Sequence, residues 1–208
     1  MVFSGQFETD RYIIKYFPKD YKGVAIDVGA VDGRYMSNTL YLEDNLNWEV
    51  LCIEPNIHYY NQLVNNRKHS LNYAVSDKNL DDVDFHIFTM NNGNESSVSS
   101  LNPDQELIDY HKNHYHITLN KTSMKVNVRT LDYCIEEFNP EKVDLISIDT
   151  EGTELDVLKG FDINKWKPKL LVIEDNWESS TQIIKEYLEQ FNYSLDKRVG
   201  VNDFFVRG

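Results

Sequence analysis

Residues Val24-Ala25-Ile26-Asp27-Val28-Gly29-Ala30-Val31-Asp32-Gly33 constrain the fold of this chain more than any other stretch. An apolar run that ends in two glycines four residues apart, followed by helix-compatible sequence, is the pattern of a buried parallel strand turning sharply into a helix. Open α/β sheets bind their ligands at such turns. A dinucleotide fingerprint, Gly-x-Gly-x-x-Gly, would let a pyrophosphate approach bare helix N–H groups. The middle glycine is absent here, and Asp27 and Asp32 flank the turn. Carboxylates in that place repel a pyrophosphate and attract an ammonium or sulfonium group. The turn therefore suits a cationic ligand such as S-adenosylmethionine, the plainer alternative being a tight turn with two solvated aspartates.

Downstream, helical and extended patterns alternate. Residues 7 to 17 predict an amphipathic lead-in helix stopped by Pro18 and packed on the sheet edge, the N-terminal element of residues 1–20. Ser37 to Asn45 predicts the first crossover helix, Trp48 to Ile53 the second strand, Ile57 to Arg67 another helix and Leu71 to Ser76 a third strand. Strands separated by such helices imply a right-handed parallel β-α-β series. Asp84 to Phe88 and Lys125 to Thr130 alternate like half-exposed strands that can pair. The polar, asparagine-rich segment between them, Met90 to Ser123, is longer than connections in a compact domain usually are, which points to disorder or a functional lid. Then come a helix over Leu131 to Phe138, a buried strand Val143 to Ile148, a helix Glu154 to Gly160, a strand Lys169 to Ile173, a helix Ser179 to Gln190 and a terminal hairpin, Tyr193 to Arg198 with Asn202 to Arg207.

At 208 residues the chain reads as one domain, 1–208, carrying an insertion at 90–123. A formal net charge of -13 gives no bulk attraction for nucleic acid or an anionic membrane. No apolar stretch approaches the ~20 residues of a membrane span, and the start of the chain lacks a signal-peptide pattern. Soluble, cytoplasmic residence is the expectation. Cys52 and Cys134 lie in apolar patterns without metal-ligand spacing, as buried thiols do.

Glu54 ends the second strand 21 residues after Gly33, where a carboxylate can accept hydrogen bonds from both hydroxyls of a ribose. Ala74-Val75-Ser76-Asp77, at the end of the third strand, is placed to meet an adenine edge. His111, His114 and His116 cluster within the insertion; without an accompanying cysteine or carboxylate they describe a solvated lid better than a zinc site.

These segments resemble the FkbM family of S-adenosylmethionine-dependent methyltransferases over roughly residues 24 to 176. The resemblance is carried by Ile26 to Gly33, Ile53-Glu54-Pro55-Asn56, Asn72 to Ser76, Ser99-Ser100-Leu101, Val128 to Asp132 and, most specifically, Ile148-Asp149-Thr150-Glu151-Gly152-Thr153-Glu154-Leu155-Asp156-Val157-Leu158-Lys159-Gly160. It implies a Rossmann-like class I methyltransferase: a seven-stranded, mostly parallel sheet with an antiparallel C-terminal hairpin, here with an insertion after the third strand. It also implies that Asp27, Gly29 and Gly33, with Asp32 beside them, hold the methionine end of the cofactor, and that Glu54 holds the ribose. Methyl transfer in the family goes usually to a hydroxyl of a sugar, polyketide or other small molecule.

The chain departs from the family pattern in two places. Ser147 stands where the family usually has lysine, and the fifth strand ends Glu174-Asp175-Asn176. Asp149 with Asp175 and Asn176 is similar to the magnesium site of catechol O-methyltransferase-like enzymes, an oxygen set that suits Mg²⁺; a polar turn capping the next helix is the alternative. Asp149 is the expected base or metal ligand, while Glu151 and Glu154 are expected to serve the turn and helix start. The reading is an S-adenosylmethionine-dependent O-methyltransferase acting on a small-molecule or saccharide hydroxyl, with S-adenosylmethionine and Mg²⁺ as its cofactors. A nicotinamide-dependent oxidoreductase and a non-catalytic cofactor-binding partner are its rivals.

Overall fold

The computed structural model describes residues 3–90, 99–103, 105–114, 116, 118–176 and 178–208. Its elements are α1 (Thr9–Ile13), β1 (Val24–Val28), α2 (Leu40–Leu46), β2 (Glu49–Ile53), α3 (Ile57–Asn66), β3 (His69–Leu71), β4 (Ala74–Ser76), β5 (Leu80–Met90), α4 (Gln105–His114), β6 (Leu119–Thr130), α5 (Leu131–Phe138), β7 (Leu145–Ile148), α6 (Glu154–Lys159), α7 (Ile163–Trp166), β8 (Leu170–Glu174), α8 (Glu178–Glu189), β9 (Tyr193–Val199) and β10 (Asn202–Arg207). Seven strands form one sheet in the order β3-β2-β1-β7-β8-β10-β9. The first five run parallel, and β10 pairs antiparallel with both β8 and β9.

Apolar side chains on both faces of β1, β7 and β8 explain why those strands read as continuous hydrophobic runs. One face carries Ile26, Val28, Ile146, Ile148, Leu171 and Ile173 against α5, α6 and α8. The other carries Ala25, Leu145, Val172 and Phe204 under Ile13, Phe17 and Trp48. The lead-in segment thus covers a sheet face rather than the expected edge. Nor is it one helix: Phe7 and Glu8 adopt φ of 53° and 57°, which restricts the α-helical part to Thr9–Ile13.

The third strand also differs from expectation. The run Leu71 to Ser76 is divided, because the Asn72 side chain donates to the carbonyls of Glu54 (2.8 Å) and Pro55 (3.0 Å) and draws the chain out of the sheet. Only His69–Leu71 pairs with β2. Ala74–Ser76 instead pairs with β6 in a second sheet of order β4-β6-β5. There the two alternating stretches pair as expected, in antiparallel orientation with Asp84 opposite Lys125, and the pairing runs on to Met90 opposite Leu119. Part of the insertion is therefore strand, and part is α4. Residues 91–98, 104, 115 and 117 of that segment lie outside the described residues.

Candidate functional site

The parallel strands present their C-terminal ends on one rim, and the chain reverses its direction of travel across the sheet between β1 and β7. A ligand crevice opens at such a switch point. It is held tightly at its base: Asp149 N–H donates to Val28 O at 3.0 Å. Gly29, at φ +85°, comes so close that a Cβ there would lie 1.8 Å from the Asp149 carbonyl oxygen. A side chain at Gly29 would force β1 and β7 apart. Gly33, at φ +79°, is a glycine for another reason: a Cβ would lie 2.6 Å from Arg67 Cγ and Leu63 Cδ1. It packs the turn onto α3 and does not line the cavity.

Above the rim lies a cavity of 1110 Å³. That exceeds the ~300–1,000 Å³ usual for one small ligand and leaves room for a donor and an acceptor together. Asp27, Gly29, Asp32, Glu54, Ala74, Val75 and Asp149 all line it. Glu54, 5 % exposed, accepts from Val31 N–H and Asn56 N–H at 2.9 Å each, so its carboxylate is fixed in direction. Val31 sits at φ 50°, a strained conformation for a β-branched residue that this bond helps to hold. Asp32 accepts from the N–H groups of Arg34 (2.8 Å) and Tyr35 (2.7 Å), so its side chain shapes the turn as well as facing the cavity.

Asp27 is buried at the foot of the cavity, bonded by Thr39 Oγ1 at 2.6 Å and Ser37 Oγ at 3.4 Å. Burial raises its pKa, and Arg67 and those two hydroxyls work in the opposite direction. Arg67 is itself buried, paired with Glu43 and donating to Gly33 O and to the hydroxyls of Ser37 and Thr39. None of this network beyond Asp27 was legible in advance; Arg67 reads as the polar end of a helix.

On the opposite wall Asp149, Glu151 and Glu174 gather, each offering an oxygen within 4.8 Å of the others. Burial pushes Asp149 up to about 6; the hydrogen bond from Glu174 opposes the rise, while the charges of Glu154 and Asp27 add to it. Burial likewise raises Glu174 and Glu151 well above the carboxylate range, with Asp149 as the next cause for each. Glu174 and Asp149 are hydrogen-bonded to each other, a contact that raises the pKa of Glu174 and lowers that of Asp149. Asn176 Nδ2 bridges Glu174 (3.2 Å) and Glu151 (3.4 Å). Glu151 sits at φ 56°, and its loop is fixed by Glu154, whose Oε1 accepts from Thr150 N–H, Thr150 Oγ1 and Gly152 N–H.

The oxygen set expected for magnesium does not converge as expected. Asp175 is 3 % exposed and accepts from Thr181 Oγ1, with Arg198 3.8 Å away. Alternation along the strand end sends it to the opposite side from Glu174. Asn176 does reach the cavity, but through its amide nitrogen. Glu174 and Glu151 hold the places beside Asp149. Their signal in the sequence was position alone: Glu174 ends an apolar strand next to Asp149, and Glu151 precedes a glycine.

The remaining wall comes from the second sheet and from α4. Ser100 exchanges backbone hydrogen bonds of 3.0 Å with His86, and its hydroxyl donates to Thr150 O at 3.1 Å. Ser99, Leu101, Tyr110 and His111 face the cavity. Burial, then the neighbouring His114, lowers the pKa of His111, so the imidazole is neutral near pH 7. His114 stacks on Tyr110 with ring centroids 5.1 Å apart. His116 is exposed. No helix among the described residues is long and apolar enough to cross a membrane.

Comparison with known proteins agrees with this geometry. A profile of the methyltransferase FkbM domain matches residues 27–195. Methyltransferase sdnD of Sordaria araneosa is 35% identical over 63 residues, covering 26% of this chain and 24% of that protein. The crystal structure of methyltransferase FkbM from Methylobacillus flagellatus KT superposes with a TM-score of 0.55 at 15% identity, over 89% of this chain and 43% of that one. The METTL16 methyltransferase domain gives 0.51 at 12% identity, over 96% and 65%. The chain thus spans about a quarter of the curated relative and under half of the FkbM structure. These likenesses establish the Rossmann-like class I methyltransferase fold, and the profile match over most of the sequence shows that the chain belongs to the FkbM methyltransferase family.

Proposed function

We propose that this chain is a single domain that transfers the methyl group of S-adenosylmethionine to a hydroxyl of a small molecule or saccharide. The observation that carries this reading is that one cavity holds both the fixed Glu54 carboxylate at the β2 end and the Asp149 group at the β7 end. Glu54 is aimed to receive ribose hydroxyls, Ala74 and Val75 to flank an adenine, and Asp27 with the Gly29 turn to meet the methionine end. When bound, the cofactor supplies an electrophilic methyl group. The chain's own task is to align the acceptor oxygen behind it and keep water out. Asp149, ionised above about pH 6, accepts the hydroxyl proton as the new C–O bond forms. The segment 90–123 acts as a lid that contributes Tyr110 and His111 to the acceptor side. No Lys or Arg appears among the described residues lining the cavity, which favours an acceptor without phosphates over nucleic acid. The buried free thiols Cys52 and Cys134 fit a reducing, cytoplasmic setting.

The test is calorimetry with S-adenosylhomocysteine, together with transfer of labelled methyl from S-adenosylmethionine to a panel of hydroxylated small molecules. Binding with transfer supports the reading. Binding without transfer to any acceptor favours the non-catalytic alternative, and absence of binding rejects a cofactor site.

A second reading adds Mg²⁺, favoured by the convergence of Asp149, Glu151 and Glu174. Three carboxylate oxygens make a hard donor set of the kind magnesium takes, with open positions for an acceptor's two oxygens. Chelation should then stop transfer and leave S-adenosylhomocysteine binding intact. Full activity in excess chelator rejects the metal.

A further inference from the structure

Asn38 lies between the Gly33 turn and α2, and 7 % of its surface is exposed. It lines the cavity near Asp27 and Asp149. Its two amide atoms are treated differently by their surroundings. Nδ2 donates to Ser147 Oγ at 3.1 Å, whereas Oδ1 has no hydrogen-bond partner. A buried acceptor left unmatched is costly, and native structures keep few of them.

The position of Oδ1 indicates what would match it. A Cβ on Gly5 would lie 3.0 Å from that oxygen, so it sits beneath the N-terminal segment whose next residues, Gln6 and Phe7, line the same cavity. Donors beside Asn38 in the chain are already engaged: the hydroxyls of Ser37 and Thr39 serve Asp27, and the Arg67 guanidinium serves Glu43, Gly33 and those hydroxyls. Oδ1 faces a cavity with no Lys or Arg among its described lining residues, so a donor brought by the ligand would match it, and the nearby Asp27 favours one with positive charge.

We propose that Asn38 Oδ1 accepts a hydrogen bond from the α-ammonium group of the methionine portion of the cofactor, and that Ser147 aims it by holding Nδ2. The proposal rests on the cavity being an S-adenosylmethionine site. It also gives a physical reason for serine where the family pattern has lysine. Ser147 is 1 % exposed and supplies a neutral acceptor to the amide nitrogen. A lysine ammonium at that position would offer no acceptor and would put a second cation beside the ligand's own.

The experiment compares two probes on the full chain by calorimetry: S-adenosylhomocysteine and 5′-methylthioadenosine, which shares the nucleoside but has no amino-acid group. Asn38→Ala is expected to weaken S-adenosylhomocysteine at least about ten-fold, as for a lost bond to a charged group, and to leave 5′-methylthioadenosine within about two-fold. Ser147→Ala, which loosens the amide without removing it, is expected to weaken S-adenosylhomocysteine about three-fold. Unchanged S-adenosylhomocysteine affinity in Asn38→Ala overturns the proposal. Equal loss of both probes overturns it too, because the residue would then only shape the cavity. An effect at Asn38 with none at Ser147 overturns the orienting role of the serine. Wild-type protein that binds neither probe overturns the cofactor reading itself, and the proposal with it.

Discussion

The two walls of the cavity are built differently. One wall consists of strand ends: Asp27, Glu54, Asp149 and Glu174 project from β1, β2, β7 and β8, whose apolar side chains form the two large clusters on either face of the sheet. The other wall rides on the β5–β6 pair and α4. Its packing lies in two smaller clusters, Ala74, Phe85, Ile87, Val126 and Val128 on the sheet, and Ile108 of α4 with Phe88, Leu119 and the half-buried Met90. The walls meet through the Ser100 hydroxyl on Thr150 O and through β4, which pairs with β6 while its Val75 belongs to the main core. Stability differs across such a molecule, and segments with few buried apolar contacts open first. On the proposed reading, the wall that meets most of the cofactor is the more rigid one, and the wall that meets the acceptor has fewer buried apolar contacts to hold it.

Four measurements would break or sharpen this contrast. The largest effect is expected in the rigid wall. Arg67→Ala leaves Glu43 and Asp27 buried without their cation, and urea denaturation should show a loss of about 3–5 kcal/mol. A loss below about 1 kcal/mol would mean that the wall relaxes as readily as its counterpart. Next, Glu54→Ala should weaken S-adenosylhomocysteine by about 1.5–3 kcal/mol by calorimetry, and should also lower the thermal midpoint of the free protein because the Val31 and Asn56 N–H groups lose their acceptor. Unchanged affinity in the folded variant would remove the ribose contact from this wall.

The third concerns pH. Asp149 has a folded pKa of about 6 against 3.8 for the free group, so the folded state binds more protons between those values. Its contribution is most favourable below pH 3.8 and is lost as pH rises through about 6. Glu174 is shifted in the same direction. In chelator, Glu174→Gln should therefore gain about 1–3 kcal/mol over wild type at pH 7.5 and show a flatter decline from pH 4 to 7. A variant that is less stable at pH 7.5 would show that the shared proton holds the wall together. The smallest effect belongs to Ile108→Ala. If α4 opens on its own, global stability should fall by less than about 1 kcal/mol while amide exchange in Gln105–His114 accelerates. A loss of the ~2–5 kcal/mol expected in a continuous core would merge the two regions into one.

The contrast also explains what could be read from residues alone. The strand-end wall was legible because its signals are local: an apolar run sets the strand, and the residue just after it faces the crevice. Glu54 and Asp149, just after β2 and β7, and Asp27 within β1 all face the cavity on that logic. Asp175 was misplaced by one residue, since alternation at the end of β8 sends Glu174 inward and Asp175 toward Thr181. Leu71 to Ser76 looked like one strand because nothing in its apolar pattern reveals that Asn72 reaches back to two carbonyls. The contribution of Tyr110 and His111 depends on how a helix docks on a hairpin, and the polar composition around them hid even the helix. Thr130 and Asp132, carried in one of the family-like segments, cap α5 and bind Asp162 N–H and Trp166 Nε1, so that segment of the resemblance is architecture.

The backbone contact between Gly29 and Asp149 joins positions 120 residues apart in the chain, and this has a consequence for the order in which the site comes into being. As the chain leaves the ribosome, β1, β2 and the network of Asp27, Ser37, Thr39, Glu43 and Arg67 emerge within the first 67 residues. That portion can satisfy its own buried charges before the rest exists. Asp149, Glu151, Glu174 and Asn176 follow together in a second short block, and among the described residues their carboxylates form no salt bridge with an arginine. Pairing so distant in sequence is slow. A cationic cofactor that binds only the finished crevice would therefore stabilise completed chains over partly folded ones, making its supply a determinant of how much of this protein accumulates.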